Sequence, residues 1–468
     1  MSAEGWARQA LAAAKPAVFW SDREDAPAQA PALGGNATAD LTVIGGGLTG
    51  LWAAIQALEE QPDLNVALLE SERCGFGASS RNGGFCDGSL THGLANALHH
   101  WPSEVDTLVR MGRENLDGVD SAIDRYEITA DYRRAAEIDV ATEDWHLEVL
   151  AEGLEMHQSN GDDVEMLGAE EMRARVNSPT HLGGLIRRND IALVDPARLC
   201  WGLRAAAESL GAIVYEQSPA IAVEGDGSAL KVVTPNGAIR TERVLMATNA
   251  YPGPIRRSRR YIIPVYDHVL MTEPLNAEQL ASVGWQEGDG LGDVSNQFHY
   301  YRMSEDNRIL WGGYDATYHF GNGLDPQHDQ SDHTHGVLAE HFFQTFPQLE
   351  GLSFTHRWGG PIATTTNFAP TWGPAHNGRV MWVGGYTGLG VGSSRFGARV
   401  ALDLVFGHTT ERTELEMVRK RPFPFPPEPL RWAGVQLTRK AIQRTDLNEG
   451  KRGTWLKLLD RFGVGFDS

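Results

Sequence analysis

The residues best placed to do chemistry in this chain are glycines. Gly45, Gly47 and Gly50 have G-x-G-x-x-G spacing inside the stretch DLTVIGGGLTGLWAAIQALEEQPDLNVALLE, residues 40–70. At this spacing the first glycine allows a tight turn, the second lets backbone approach a pyrophosphate, and the third lets a helix pack close to a strand. The helix that follows would offer unpaired N–H groups and a partial positive charge to the phosphates. Glu70 closes the unit about twenty residues on, where a carboxylate can accept hydrogen bonds from a ribose.

A strand must precede such a turn and a helix must follow it. Residues 41–44 are aliphatic and β-branched, Leu48, Leu51, Trp52, Ile55 and Leu58 recur at helical intervals, and residues 66–69 form a second buried-strand run. Two further glycine-rich stretches follow. Residues 75–85, GFGASSRNGGF, suggest backbone wrapped against a ligand, with Arg81 as the charge that could meet a phosphate. Residues 384–392, GGYTGLGVG, lie between a strand at 380–383 and a helix carrying Val400, Leu402, Leu404 and Val405, and so imply a second helix N-terminus aimed at a ligand. The strand at 244–250 ends in Ala247, Thr248 and Asn249, small and polar as expected where a strand reaches a ligand at its carboxyl end.

The remaining elements read more coarsely. Residues 1–37 are a lead-in, loose or extended over 26–36, with Phe19-Trp20 as an anchor on the surface of the main body. Residues 103–177 read as largely helical. Asp195 and Pro196 open a helix as N-cap and first position, and Gly211 stops it. Residues 212–216, 220–223 and 230–234 read as strands of a β-meander, with a hairpin turn at Pro235-Asn236-Gly237. Residues 260–355, rich in β-formers and aromatic residues, read as a mostly antiparallel sheet whose His268, His299, Tyr301 and Tyr314 are candidate pocket residues. The tail is proline-rich from Pro422 and helical from about Trp432.

The 468 residues suggest two intimately joined domains. The formal net charge of −20 argues against nucleic acid as a partner. The three cysteines, Cys74, Cys86 and Cys200, have neither disulfide nor zinc spacing and fit a reducing compartment. No apolar run is long enough to span a membrane, and a cytoplasmic protein is expected.

The order of VIGGGLTG (43–50), Glu70, GASSRNGG (77–84), ATNAY (247–251) and GGYTGLGV (384–391) resembles the D-amino-acid oxidase superfamily of flavoproteins. Within it, TEPL (272–275), Tyr301-Arg302 and RILWGG (308–313) look most like the gamma-glutamylputrescine oxidase branch. The resemblance implies an α/β fold, α+β in its two-domain organisation: a Rossmann-like FAD-binding domain (38–100, 180–260 and 356–408) and an antiparallel-sheet substrate domain (101–179 and 261–355), followed by a C-terminal helical extension (409–468). It implies that Gly45, Gly47 and Gly50, with Leu48 and Thr49, hold the FAD pyrophosphate, and that Glu70 and Ser71 hold the adenosine ribose. Gly77 and Ala78 would lead into Ser79, Ser80, Arg81, Asn82, Gly83 and Gly84, which line the ribityl chain and isoalloxazine ring. Ala220 would meet the adenine, and Thr248 and Asn249 would pass near the pyrophosphate. Gly385, Gly388, Leu389, Gly390 and Val391 would cover the pyrimidine edge of the flavin.

Some relatives attach flavin through a cysteine near the last glycine turn or a histidine in the second glycine stretch. This chain has no cysteine after Cys200, and has Arg81 and Asn82 in that stretch, so FAD is expected to be non-covalent. Leu389 stands where many relatives carry histidine, and Asn367 where the family's T-x-D-x-x-P motif has its acid.

The reaction implied is oxidation of a C–N bond in an amine or amino acid. A hydride passes from the carbon next to nitrogen to flavin N5, the imine hydrolyses, and O2 is reduced to H2O2. Tyr386, His268, His299, Tyr301 and Trp358 are the candidate substrate contacts. Two other readings stay open: a dehydrogenase passing electrons to a quinone or carrier protein, and a flavoprotein subunit of a larger complex without oxidase activity of its own.

Overall fold

The computed structural model describes residues 3–225, 229–285 and 288–461. Two sheets organise them. The first has five parallel strands in the order Val380–Gly384, Gly237–Met246, Gly35–Ile44, Val66–Leu69 and Ile213–Tyr215. Thr371–Ala375 pairs antiparallel at one edge, and Ala222–Glu224 and Leu230–Thr234 extend an antiparallel meander from Gly237–Met246. The strand Ile213–Tyr215 therefore lies outside the meander to which its sequence assigned it. Its alternation is the same in either place, and only the pairing with Val66–Leu69 decides.

Helix Leu48–Glu60 packs between helices Gly390–Phe406 and Pro196–Ser209. Leu51, Trp52, Ile55, Leu58, Leu203, Val400 and Val405 bury together there. Asp195 caps the last of these helices, accepting from the Ala197 and Arg198 amides at 3.0 Å each.

The second sheet has nine strands, in the order Phe354–Thr364, Ile263–Thr272, Ile309–Thr317, His299–Met303, Gly290–Asp293, Arg133–Ala141, Gly183–Leu193 and Phe85–Asp87, with Val164–Gly168 also on Gly183–Leu193. Its pairs are antiparallel except that of Gly290–Asp293 with Arg133–Ala141. One face packs on helices Asp332–Thr345 and Ala3–Ala10. On the other, Val269, Met271, Leu310 and Tyr300 meet Trp20, Trp358 and the start of helix Pro196–Ser209 at Ala197 and Trp201. Strands Gly183–Leu193 and Phe354–Thr364 belong to this sheet, although residues 180–193 and 356–364 fall in segments grouped by sequence with the nucleotide domain.

Three further differences from the sequence reading have physical causes. Strands Arg133–Ala141 and Val164–Gly168 interrupt the expected helical region. The first is rich in Arg and Ala, which favour helix, but it is hydrogen-bonded to strands on both sides. Helix Asp332–Thr345 lies inside the aromatic stretch read as strands, and it buries Leu338, Phe342 and Phe343 on the sheet. The lead-in is tied down. The Ala30 amide donates to Glu216 Oε2 at 2.7 Å, the Leu33 amide donates to Ser218 Oγ at 2.9 Å, and Trp20 is buried. No helix among the described residues is long and apolar enough to cross a membrane.

Candidate active site

The first sheet ends its parallel strands Gly35–Ile44, Val66–Leu69, Gly237–Met246 and Val380–Gly384 along one edge. That edge gathers the residues singled out from sequence. Gly45 has φ 110°, and a Cβ there would lie 2.7 Å from the Ala247 carbonyl oxygen. A Cβ on Gly50 would lie 1.9 Å from the Gly45 carbonyl oxygen, so both places require glycine. Helix Leu48–Glu60 starts at Gly47 with no side-chain cap and no acid in its first turn. Helix Gly390–Phe406 starts at Leu389 in the same way.

Glu70 is buried beside the first of these starts. Its Oε2 accepts from the Gly46 amide at 2.7 Å, and its Oε1 accepts from the Glu72 amide at 2.9 Å and the Ser71 hydroxyl at 3.1 Å. Burial raises its pKa, and these hydrogen bonds oppose the rise. Asn249 Oδ1 accepts from the Gly385 amide at 2.9 Å, locking the strand end that carries Thr248 to the third glycine turn, where Gly388 has φ 94°. Ala220 packs against the apolar cluster that includes Leu69 and Ile44. Two helix starts without a compensating acid suit a ligand with negative charge at two separated points. A buried carboxylate beside the first start suits a ribose. The residues present fit FAD.

The second glycine stretch is held from outside at three places. Trp358 Nε1 donates to the Arg81 carbonyl at 2.8 Å, Trp20 Nε1 to the Asn82 carbonyl at 3.0 Å, and Arg302 Nη1 to the Gly84 carbonyl at 3.0 Å. Asn82 braces it from within. Its Nδ2 donates to the carbonyls of Ala78 and Ser79 at 3.0 and 2.9 Å, and its Oδ1 accepts from the Gly84 amide at 2.8 Å. Ser79 Oγ accepts from the Leu48 amide at 3.0 Å, joining this loop to the first helix start. Ser80 is buried, and Gly77 lies against the Tyr251 ring.

Arg81 corrects the sequence reading. Its guanidinium is bound to Asp329 at 2.6 Å, to the Gly359 carbonyl at 3.2 Å and to the Phe76 carbonyl at 3.0 Å, so it is committed within the protein. Trp20 and Arg302 were missed as loop supports because nothing local in sequence links them to a loop more than sixty residues away.

The sheet face opposite this loop carries Tyr300. A Cβ on Gly83 would fall 2.6 Å from Tyr300 Cε2, and a Cβ on Gly312 would fall 2.6 Å from its hydroxyl, so the ring fills the space that both glycines leave. The Tyr300 hydroxyl donates to Asp267 Oδ2 at 2.6 Å, and Asp267 Oδ1 accepts from the His268 amide at 2.8 Å. Burial pushes the Asp267 carboxyl up to about 6, against the hydrogen bonds from Tyr300, His268 and Gly313. Burial and the Asp267 charge push the Tyr300 phenol well above its ordinary value. Phe85 meets Tyr300 edge-on, with centroids 6.0 Å apart.

Three candidates chosen from sequence lie one residue away from this pair and point to the opposite face. His268 Nε2 is bonded to the His328 carbonyl at 3.2 Å, and its ring meets His335 edge-on. His299 lies between Asp293 at 2.7 Å and His341 at 3.0 Å, stacked on Trp311 and Tyr314. The Tyr301 hydroxyl is bonded to His181 Nε2 at 2.9 Å beneath helix Asp332–Thr345. Side chains alternate along a strand, so a choice of ring type without its parity selects the wrong face half the time. Of the other two, Trp358 acts through the loop, as above. Tyr386 is buried at a helix contact, where its hydroxyl accepts from Thr49 Oγ1 at 2.9 Å. No group of His, Cys, Asp or Glu among the described residues is arranged to hold a metal ion.

The DAO family, described as FAD dependent oxidoreductase, matches residues 40–404. The chain belongs to this family. Its relatives include gamma-glutamylputrescine oxidoreductase of Escherichia coli, 30% identical over 395 residues that cover 83% of this chain and 88% of that protein. The probable oxidoreductase OrdL of Haemophilus influenzae is 28% identical over 396 residues, with the same coverage of 83% and 88%. The fold is that of glycine oxidase from Geobacillus kaustophilus, with a TM-score of 0.66, 20% identity, and 80% and 96% of the two chains covered. As a member of the DAO family the protein is an FAD-dependent oxidoreductase. Its three cysteines are free and buried, and burial pushes the thiols of Cys86 and Cys200 up to about 12.

Proposed function

We propose that the enzyme oxidises the carbon–nitrogen bond of a small amine, with O2 as acceptor, beside the loop Ser79–Gly84 and the Asp267–Tyr300 pair. The observation that carries this reading is that pair: a half-buried carboxylate, pushed up to about 6, bound at 2.6 Å to a phenol packed on Gly83. Gly45, Gly47 and Gly50 with Leu48 and Thr49, Glu70 with Ser71, the loop 77–84, Ala220, Thr248, Asn249 and the turn 385–391 hold FAD. Bound FAD supplies the two-electron acceptor for the hydride lost from the carbon next to nitrogen.

The chain's own residues prepare the amine. An ammonium has no lone pair to assist loss of a hydride, so its proton must leave first. Asp267 has a pKa near neutrality and can take that proton from the bound substrate. The Tyr300 hydroxyl fixes the carboxylate's orientation, and its own raised pKa keeps it protonated. Phe85 and Tyr300 keep the space apolar, which favours the uncharged amine.

The two arginines nearest the loop support an amine without an α-carboxylate. Arg81 is committed to Asp329, and Arg302 gives its Nη1 to the carbonyls of Gly84 and Val194 and faces Asp131 at 3.6 Å through Nη2. The relative that acts on gamma-glutamylputrescine supports the same substrate class.

The test is turnover of the FAD-loaded protein with a panel of primary amines and amino acids, followed by both O2 uptake and reduction of an artificial acceptor. Amine-dependent O2 uptake with stoichiometric peroxide is the expected result. Turnover only with the artificial acceptor would replace the oxidase by a dehydrogenase. Turnover only with hydroxy acids would remove the amine reading.

A further inference from the structure

The C-terminal helix Leu430–Asp446 is turned the wrong way for a helix that merely packs on the body. Its buried residues are Thr438 and Thr445, whose hydroxyls donate back to the carbonyls of Gly434 and Ala441. Its outward stripe is Leu430, Ala433, Leu437, Lys440 and Arg444, continued by Leu447 just beyond its end. Leu430, Leu437 and Leu447 are 66%, 54% and 88% exposed.

The charges follow the same division. Inward, Arg431 is bonded to Asn322 and Arg439 to Asp315. Outward, Lys440 and Arg444 have no ion pair among the described residues. Residues 430–461 hold eight basic and three acidic side chains in a chain of net charge −20.

A second basic feature adjoins it. The Phe425 amide donates to the Arg260 carbonyl at 2.8 Å, which joins the tail to the turn Arg256–Arg260. Arg256, Arg257, Arg259 and Arg260 are all exposed and have no ion pair among the described residues. Phe423, beside this junction, is 61% exposed. At its other end the helix is fixed by Asp446, which accepts from the amides of Asn296 and Gln297. The next residue, Phe298, is exposed, and its ring lies 6.3 Å from that of Tyr300.

We propose that the outward stripe of this helix, with the adjoining arginine turn, docks the protein on an anionic lipid surface. Leucines and unpaired cations that share one helix face suit the boundary between acyl chains and anionic headgroups. An otherwise acidic protein would be repelled from such a surface unless it presented a local excess of cations, as residues 256–260 and 430–461 do. A second copy fits less well, because a two-fold contact would bring the same cations together. Docking in this way brings the helix end that holds Asn296 and Gln297, and with it the exposed Phe298, toward the lipid. The inference does not depend on which substrate the enzyme takes.

The test uses full-length, FAD-loaded protein sedimented with vesicles of phosphatidylcholine, with and without phosphatidylglycerol. Binding is expected only with phosphatidylglycerol, with release by high salt. The K440E/R444E variant should bind at least about thirtyfold more weakly, from about a factor of five for each charge near the surface. The L430S/L437S/L447S variant should also lose binding. The altered side chains face solvent, so the flavin spectrum and melting temperature of both variants should match the parent. Equal binding to both vesicle types, no binding to either, or anionic binding that survives both variants would overturn the proposal. A change of oligomeric state in the variants without vesicle binding, or retention on an acidic protein alone, would assign the face to a protein partner and overturn it as well.

Discussion

Replacing Asp267 by asparagine isolates the charge on which the proposed chemistry depends. Burial raises this carboxyl from an ordinary 3.8 to about 6. The folded chain therefore holds the proton more tightly than the unfolded chain does. The group's contribution to stability is fully present below the unfolded value and is lost as pH rises through about 6. A shift of this size corresponds to about 3 kcal/mol in all, of which roughly half is lost between about pH 5 and 7.5. Asp267→Asn has no such titration, so the stability difference between variant and parent should move in the variant's favour by that amount across the window. The measurement is urea unfolding of both proteins at closely spaced pH values, read as the difference so that other titrating groups cancel. The same residue should shape activity: kcat/KM of the parent rises through a limb near 6, and the variant loses this limb and falls by about 10²–10⁴-fold. Parallel stability curves, or an acid limb that survives in D267N, would refute the assignment of the proton to Asp267.

The other predictions concern neighbouring parts of the site. Tyr300→Phe removes the hydroxyl that orients Asp267 and should lower kcat/KM by about tenfold or more, whereas Tyr301→Phe, on the opposite face, should leave kcat/KM within about twofold. Steady-state kinetics of the pair decides between the two parities. Glu70→Gln should weaken FAD binding by about 1.5–3 kcal/mol, because a charged acceptor is lost beside the Gly46 amide. Fluorescence titration of the apoprotein with FAD measures it. Trp20→Phe removes the donor to the Asn82 carbonyl and leaves it buried without a partner, so unfolding should cost about 1–3 kcal/mol less, and FAD affinity should fall with it.

The nucleotide-binding half was legible because its signals are local. Three glycines, one helix period and a terminal acid lie within residues 40–70, and the structure places them on one turn. The capped helix at Pro196 and the hairpin at Pro235-Asn236 were readable for the same reason. The substrate half depends on pairings that no local pattern reports. Tyr300 and Tyr301 are chemically alike in sequence, and only the sheet's position against the loop at Gly83 tells them apart. Arg133–Ala141 favours helix by composition and is a strand because two neighbours pair with it. Trp20 anchors the lead-in on the main body, and its added role as a loop support is silent in sequence because its partner at Asn82 is a backbone carbonyl.

The most direct test of the central claim is the visible spectrum of the FAD-loaded protein, mixed anaerobically with primary amines and then with air, for the parent and for D267N. Bleaching of the flavin band by an amine in the parent, with rapid return in air and much slower bleaching in the variant, is the predicted result. A flavin band that no amine bleaches, or one that parent and variant lose at the same rate, would contradict the account.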